Sequence, residues 1–153
     1  MKTVTTLSAA ALILVSNFAF AQQAAPATAT AAAPAYKAIS AKLNRNQLDG
    51  LLSYPDQVLI IDVRRPDEIT SIGGFATYLS VQAKDLDAAA KFIPNDRTLI
   101  TVSNHAGRAL KAADALLAKG FKVAGAVGAQ DYESEGGKLV KIAPPAPKVA
   151  AAQ

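Results

Sequence analysis

Residues 98–110 read Thr98-Leu99-Ile100-Thr101-Val102-Ser103-Asn104-His105-Ala106-Gly107-Arg108-Ala109-Leu110. The first five form a short, largely apolar run, as expected of a strand buried on both faces. Ser103 to Gly107 read as a loop. Arg108 to Lys119 then read as a helix, with Leu110, Ala113, Leu116 and Leu117 on one face and Gly120 as its stop. Strand, loop and helix in this order make the repeating unit of a parallel sheet covered by helices.

The flanking sequence extends the same pattern in both directions. Upstream, Val58-Leu59-Ile60-Ile61 is a second buried strand that stops at Asp62. Pro66-Asp67-Glu68 opens a helical turn, with proline first and acids near the N-terminus. Asn44-Arg45-Asn46-Gln47 fits a capping box, Leu48, Leu51 and Leu52 follow at helical spacing, and Tyr54-Pro55-Asp56 ends that helix. Thr77 to Leu79 and Lys122 to Ala126 read as further strands, and Asp85 to Phe92 as a helix. The fold class is therefore α/β, with a mostly parallel central sheet and helices on both faces. In such sheets the functional crevice lies beyond the C-terminal ends of the strands. Asp62 with Arg64, and the loop 103–107, sit at such ends and are expected to be neighbours.

The two ends of the 153-residue chain read differently. Residues 1–21 combine a positive Lys2, an apolar stretch from Leu7 through Val15, and Ala19-Phe20-Ala21 as a cleavage site. They are expected to be a secretory signal peptide cut after Ala21. A retained membrane anchor is the rival reading, but Ser16 and Asn17 interrupt a run already short of the roughly 20 residues a spanning helix needs. The mature protein is thus expected in the periplasm or outside the cell, with no membrane insertion after cleavage. Residues 22–35 and 144–153 are rich in Ala and Pro, with too little bulky apolar surface to offset the entropy of ordering. They are expected to be a disordered linker and tail around a folded domain at 36–143.

Composition excludes several functions. There is no cysteine, which removes disulfides, thiolate metal sites and every cysteine nucleophile. One histidine leaves no zinc set. Asp131, Glu133 and Glu135 lack the spacing of a calcium loop and read as a solvated surface. No phosphate-binding glycine motif is present. No metal and no cofactor are expected. The net charge of +4 is spread without a run of five like charges, which argues against a nucleic-acid partner.

Three segments together resemble the single-domain rhodanese family, including its small exported bacterial members. Leu59-Ile60-Ile61-Asp62-Val63-Arg64 with Pro66 and Glu68 is similar to the family's Asp-Val-Arg segment. Leu99-Ile100-Thr101-Val102, a loop, Arg108 and an alanine-rich helix ending Lys119-Gly120-Phe121 form the second match. Val123 to Tyr132, with Gly128, forms the third. The resemblance covers roughly residues 37–142 and implies a three-layer rhodanese-like fold. It departs from the family at three places. The family loop is Cys-x-x-x-x-Arg, and here it is Ser103-Asn104-His105-Ala106-Gly107-Arg108. Gly73-Gly74-Phe75-Ala76 stands where the family has Gly-His-Ile. Ala109 replaces a serine that commonly follows the loop arginine.

The family's sulfur transfer needs a thiolate that holds a persulfide. A hydroxyl cannot carry one, so Ser103 blocks that reaction. The loop backbone at a helix start, with Ser103, Asn104, His105, Ala106, Gly107 and Arg108, retains the form of an anion site, supported by Asp62 and Arg64. Arg108 paired with Asp62 is the purely structural alternative. The expected function is an exported, catalytically inactive binding or interaction module for a protein or a small oxyanion. The alternative is an enzyme of sulfur, ester or phosphate chemistry through Ser103. His105 is the sole candidate base, and two residues along a tight loop is poor geometry for it.

Overall fold

The computed structural model describes residues 36–143. The expected signal peptide at 1–21, the linker at 22–35 and the tail at 144–153 lie outside the described residues. Five helices and four strands follow in the order α1 (Arg45–Leu52), β1 (Val58–Asp62), α2 (Pro66–Ile72), β2 (Leu79–Ser80), α3 (Leu86–Ala89), β3 (Thr98–Ser103), α4 (Ala106–Ala118), β4 (Val123–Gly128) and α5 (Ala129–Ser134). Turns of 3₁₀ helix, Ala83–Asp85 and Ala90–Phe92, flank α3.

The four strands pair side by side in the order β2-β1-β3-β4, all parallel. Alternation along each strand then sorts the side chains between two cores. Val58, Ile60, Ile100, Val102 and Val127 pack with Leu48 of α1 and with Phe75. Ile61, Val63 and Leu99 pack with Leu86 of α3 and with Ala112 and Leu116 of α4. Helices on both faces of one parallel sheet give the three expected layers. Leu116 is fully buried, and burial of such a side chain contributes about 1.5–3 kcal/mol.

Several local expectations match in detail. Asn44 Oδ1 accepts from the Gln47 N–H, and Gln47 Oε1 accepts from the Asn44 N–H, each at 2.9 Å. Pro66 opens α2. Four boundaries are corrected, the first being the strand expected at Lys122 to Ala126, which runs Val123–Gly128. The strand expected at Thr77 to Leu79 is Leu79–Ser80, an edge defined only by its pairing with Ile61 and Asp62. The helix expected over Asp85 to Phe92 has just one α-helical turn between two 3₁₀ turns. The helix expected from Arg108 starts two residues earlier, at Ala106.

Residues beside the sheet close its outer edge. The Leu43 N–H donates to Ala126 O and the Ala126 N–H donates to Ala41 O, both at 2.9 Å, so the N-terminal segment runs parallel to β4. Asp114 of α4 anchors that segment by accepting from Tyr36 Oη at 2.6 Å and from the Ile39 and Ser40 N–H groups at 3.0 and 2.7 Å. Hydrogen bonds from Ser40 and then Tyr36 hold its carboxyl well below the usual carboxylate range.

The close approach leaves no room at Gly125. A Cβ there would lie 2.6 Å from Ala41 O and 2.8 Å from Leu43 Cγ. Gly125→Ala is therefore expected to lose about 1–3 kcal/mol of stability through overpacking. Thermal denaturation checks this; an unchanged Tm would show that the segment 41–43 is not held against β4.

Candidate functional site

The site lies where β1 and β3 end, as expected of a parallel sheet. Alternation points residues 99, 101 and 103 of β3 toward α4. Thr101 Oγ1 donates to Ala109 O at 2.8 Å, and Ser103, two residues on, lies under the first turn of α4. Ser103 is fully buried. Its hydroxyl donates to His105 O at 2.5 Å and accepts from the Ala109 N–H at 2.9 Å. Both capacities of the hydroxyl are used inside the fold.

The His105 ring points elsewhere. It is exposed, and its Nδ1 lies 2.8 Å from Asp131 Oδ1. Ser103 and His105 therefore meet through a backbone carbonyl and form no nucleophile–base pair. Asp131 also pairs with Lys42 Nζ at 2.7 Å, and its carboxylate lies near the Ala106 N–H at the start of α4, which helps to lower it. Burial works against its charge, but Lys42 and His105 outweigh burial and hold its carboxyl below the ordinary value. A carboxylate of the chain itself thus sits at the helix N-terminus, where an external anion would bind. The contact requires a glycine at 128, where a Cβ would fall 2.5 Å from Asp131 Oδ2 and 2.9 Å from the Ala106 N.

Arg108 lies in the first turn of α4, but it does not pair with Asp62 as one sequence reading proposed. Glu68 takes it instead. Arg108 Nη1 and Nη2 donate to the two Glu68 oxygens at 2.9 and 2.6 Å. Glu68 also accepts from Asn104 Nδ2 at 2.7 Å and from the Arg65 N–H at 2.9 Å. The Arg108 hydrogen bonds prevail over partial burial and lower the Glu68 carboxyl from 4.5 to about 2.

Asp62 is claimed by Arg64, two residues away. Both are fully buried, with Arg64 Nε and Nη2 donating to Asp62 at 2.9 and 2.6 Å. Removing one partner of such a buried pair costs about 3–5 kcal/mol, because the other is left buried and uncompensated. Gly74 covers Arg64, and it exchanges two backbone hydrogen bonds with Val140 at 2.9 and 2.8 Å. The region that departs from the family's Gly-His-Ile is thus occupied by a strand-like contact with the C-terminal segment.

The structure brings Ser103, Asn104, His105, Ala106, Arg108, Asp62 and Arg64 to the C-terminal ends of the two central strands, and leaves Gly107 exposed at the helix start. Glu68 and Asp131 complete the site. The sequence places Glu68 at a helix start and Asp131 in an acidic stretch, and shows neither of their long-range partners. Two polar atoms there are buried without a partner, Arg64 Nη1 and Asn104 Oδ1. Among the described residues no group of three or more Asp, Glu or His is placed to hold a metal ion, and no helix is long and apolar enough to cross a membrane.

This architecture recurs in solved structures. A rhodanese-related protein from Thermoplasma volcanium matches with a TM-score of 0.58 and 22% identity, over 66% of this chain and 98% of that one. A rhodanese-like domain protein from Staphylococcus aureus matches at 0.53 and 18%, over 60% and 88% of the two chains. A thiosulfate sulfurtransferase from Pseudomonas aeruginosa matches at 0.55 and 22%, over 65% of this chain but 20% of that longer one. No protein-family model and no curated protein matches the sequence. The chain has the rhodanese-like fold, and it has no cysteine anywhere, consistent with Ser103 replacing the catalytic cysteine.

Glu68 carries a pH dependence. Its folded-state pKa lies below its ordinary value, so the stability it contributes is complete above about pH 4.5 and is lost as pH falls toward 2. Glu68→Gln is expected to be less stable than wild type at neutral pH, with the difference shrinking across that window. Urea denaturation at a series of pH values measures it; a difference independent of pH would mean the carboxylate's charge contributes nothing.

Proposed function

We propose that this chain is an exported rhodanese-like domain that carries out no sulfur transfer and works as a binding module. The buried Ser103 hydroxyl, tied between His105 O and the Ala109 N–H, carries this reading. Sulfur transfer from thiosulfate to cyanide requires a thiolate to hold the sulfane sulfur between the two half-reactions. The chain has none. Ester or phosphate chemistry through Ser103 would need a base on its hydroxyl, and the His105 ring is engaged with Asp131.

The partner in this reading is a protein of the exported compartment. A small oxyanion in the loop would have to displace Glu68 from Arg108 and compete with the Asp131 carboxylate beside the Ala106 N–H. Calorimetry with millimolar sulfate, thiosulfate or phosphate is expected to show no binding.

Thiocyanate formation from thiosulfate and cyanide is expected at background for wild type. Ser103→Cys is expected to stay there, and to alkylate slowly with iodoacetamide, because its sulfur takes the same buried position. Turnover by wild type would overturn the reading. Ester hydrolysis that disappears in Ser103→Ala would favour the enzymatic alternative. For export, the protein recovered from the compartment outside the cytoplasm is expected to begin at Gln22 by N-terminal sequencing.

A further inference from the structure

Two adjoining cavities, of about 170 and 200 Å³, form one cleft between α4 and the chain that follows β2. They share Ala83 and Arg108. Arg108, Lys111, Ala112 and Ala115 reach the cleft from α4, at the spacing of a single helix face. Lys84 lines it from the facing side, and Leu86 with Ala112 and Ala115 gives it an apolar floor.

The charges in this cleft are not equivalent. Glu68 neutralises Arg108, Asp67 pairs with Arg65, and Asp87 pairs with Lys119. Among the described residues Lys84 and Lys111 are in no ion pair. Lys111 lies over the Tyr36 ring, 5.3 Å from its centre, a contact that positions the ammonium without cancelling its charge. The apolar strip is therefore flanked by two ammonium groups in no ion pair, Lys84 in the cleft and Lys111 at its rim over Tyr36.

We infer that this cleft docks an acidic, partly apolar segment of a partner protein, with carboxylates over Lys84 and Lys111 and an aliphatic side chain on the floor between them. Charge complementarity of this kind sets orientation and speeds encounter. A nucleic acid fits less well, because the cleft floor is aliphatic and the one ring beside it, Tyr36, already carries Lys111 on its face. The assignment rests on the binding-module reading, but thiocyanate assays decide that reading and peptide titration decides the cleft.

The test titrates the purified full chain into fluorescein-labelled peptides of alternating Glu and Leu, or of alternating Lys and Leu, and follows anisotropy. The Glu-Leu peptide is expected to bind, more weakly as salt rises. Lys84→Glu with Lys111→Glu is expected to weaken it about tenfold or more. Lys122→Glu, an exposed change outside the cleft, is expected to leave binding unchanged. Equal binding by the double variant, equal binding of the Lys-Leu peptide, tighter binding of single-stranded DNA, or no binding at all would overturn the proposal.

Discussion

One carboxylate joins the parts of the site. Glu68 accepts the Arg65 N–H within its own helix turn, Asn104 from the loop and both terminal nitrogens of Arg108 from α4. Charge-assisted, bidentate contacts of this kind are the stronger class of hydrogen bond. They bind the start of α2 to the start of α4 across the ends of β1 and β3. Beneath them the Asp62–Arg64 pair is sealed from solvent, so its geometry depends on the layers around it staying closed.

The functional consequence follows from where charge is already satisfied. A helix N-terminus and an arginine side by side would ordinarily receive an anion. Here Asp131 and Glu68 hold both positions. The loop keeps the outline of an anion cradle and fills it from within. Two cations in no ion pair lie farther along, Lys111 on α4 and Lys84 across the cleft. The docking proposed for this domain accordingly lies not in the loop but along the side of the helix behind it.

Much of the fold was legible because its signals are local. Asn44 and Gln47 cap α1 through each other, and the spacing that marks a capping box is itself the geometry of the two hydrogen bonds. The apolar runs at Val58 and Thr98 read as buried strands because both of their faces are covered. The start of α4 was less legible. Gly107 is a weak helix former and reads as loop, whereas the helix begins at Ala106, whose N–H lies near Asp131 of α5. The two-residue β2 has no pattern of its own and exists through its pairing with β1.

The sequence by itself determined the class of fold, the order of its elements and the chemistry the chain lacks. Periodicity encodes which faces are buried, and the absence of cysteine is a property of composition. The tertiary structure alone decided which groups meet. It gave Arg108 to Glu68 and not to Asp62, and it turned the Ser103 hydroxyl inward to His105 O and the Ala109 N–H. Each of these depends on the register of β3 against α4 and on carboxylates distant in sequence. Partner choice among several nearby charges is settled by packing and geometry, which local spacing does not carry.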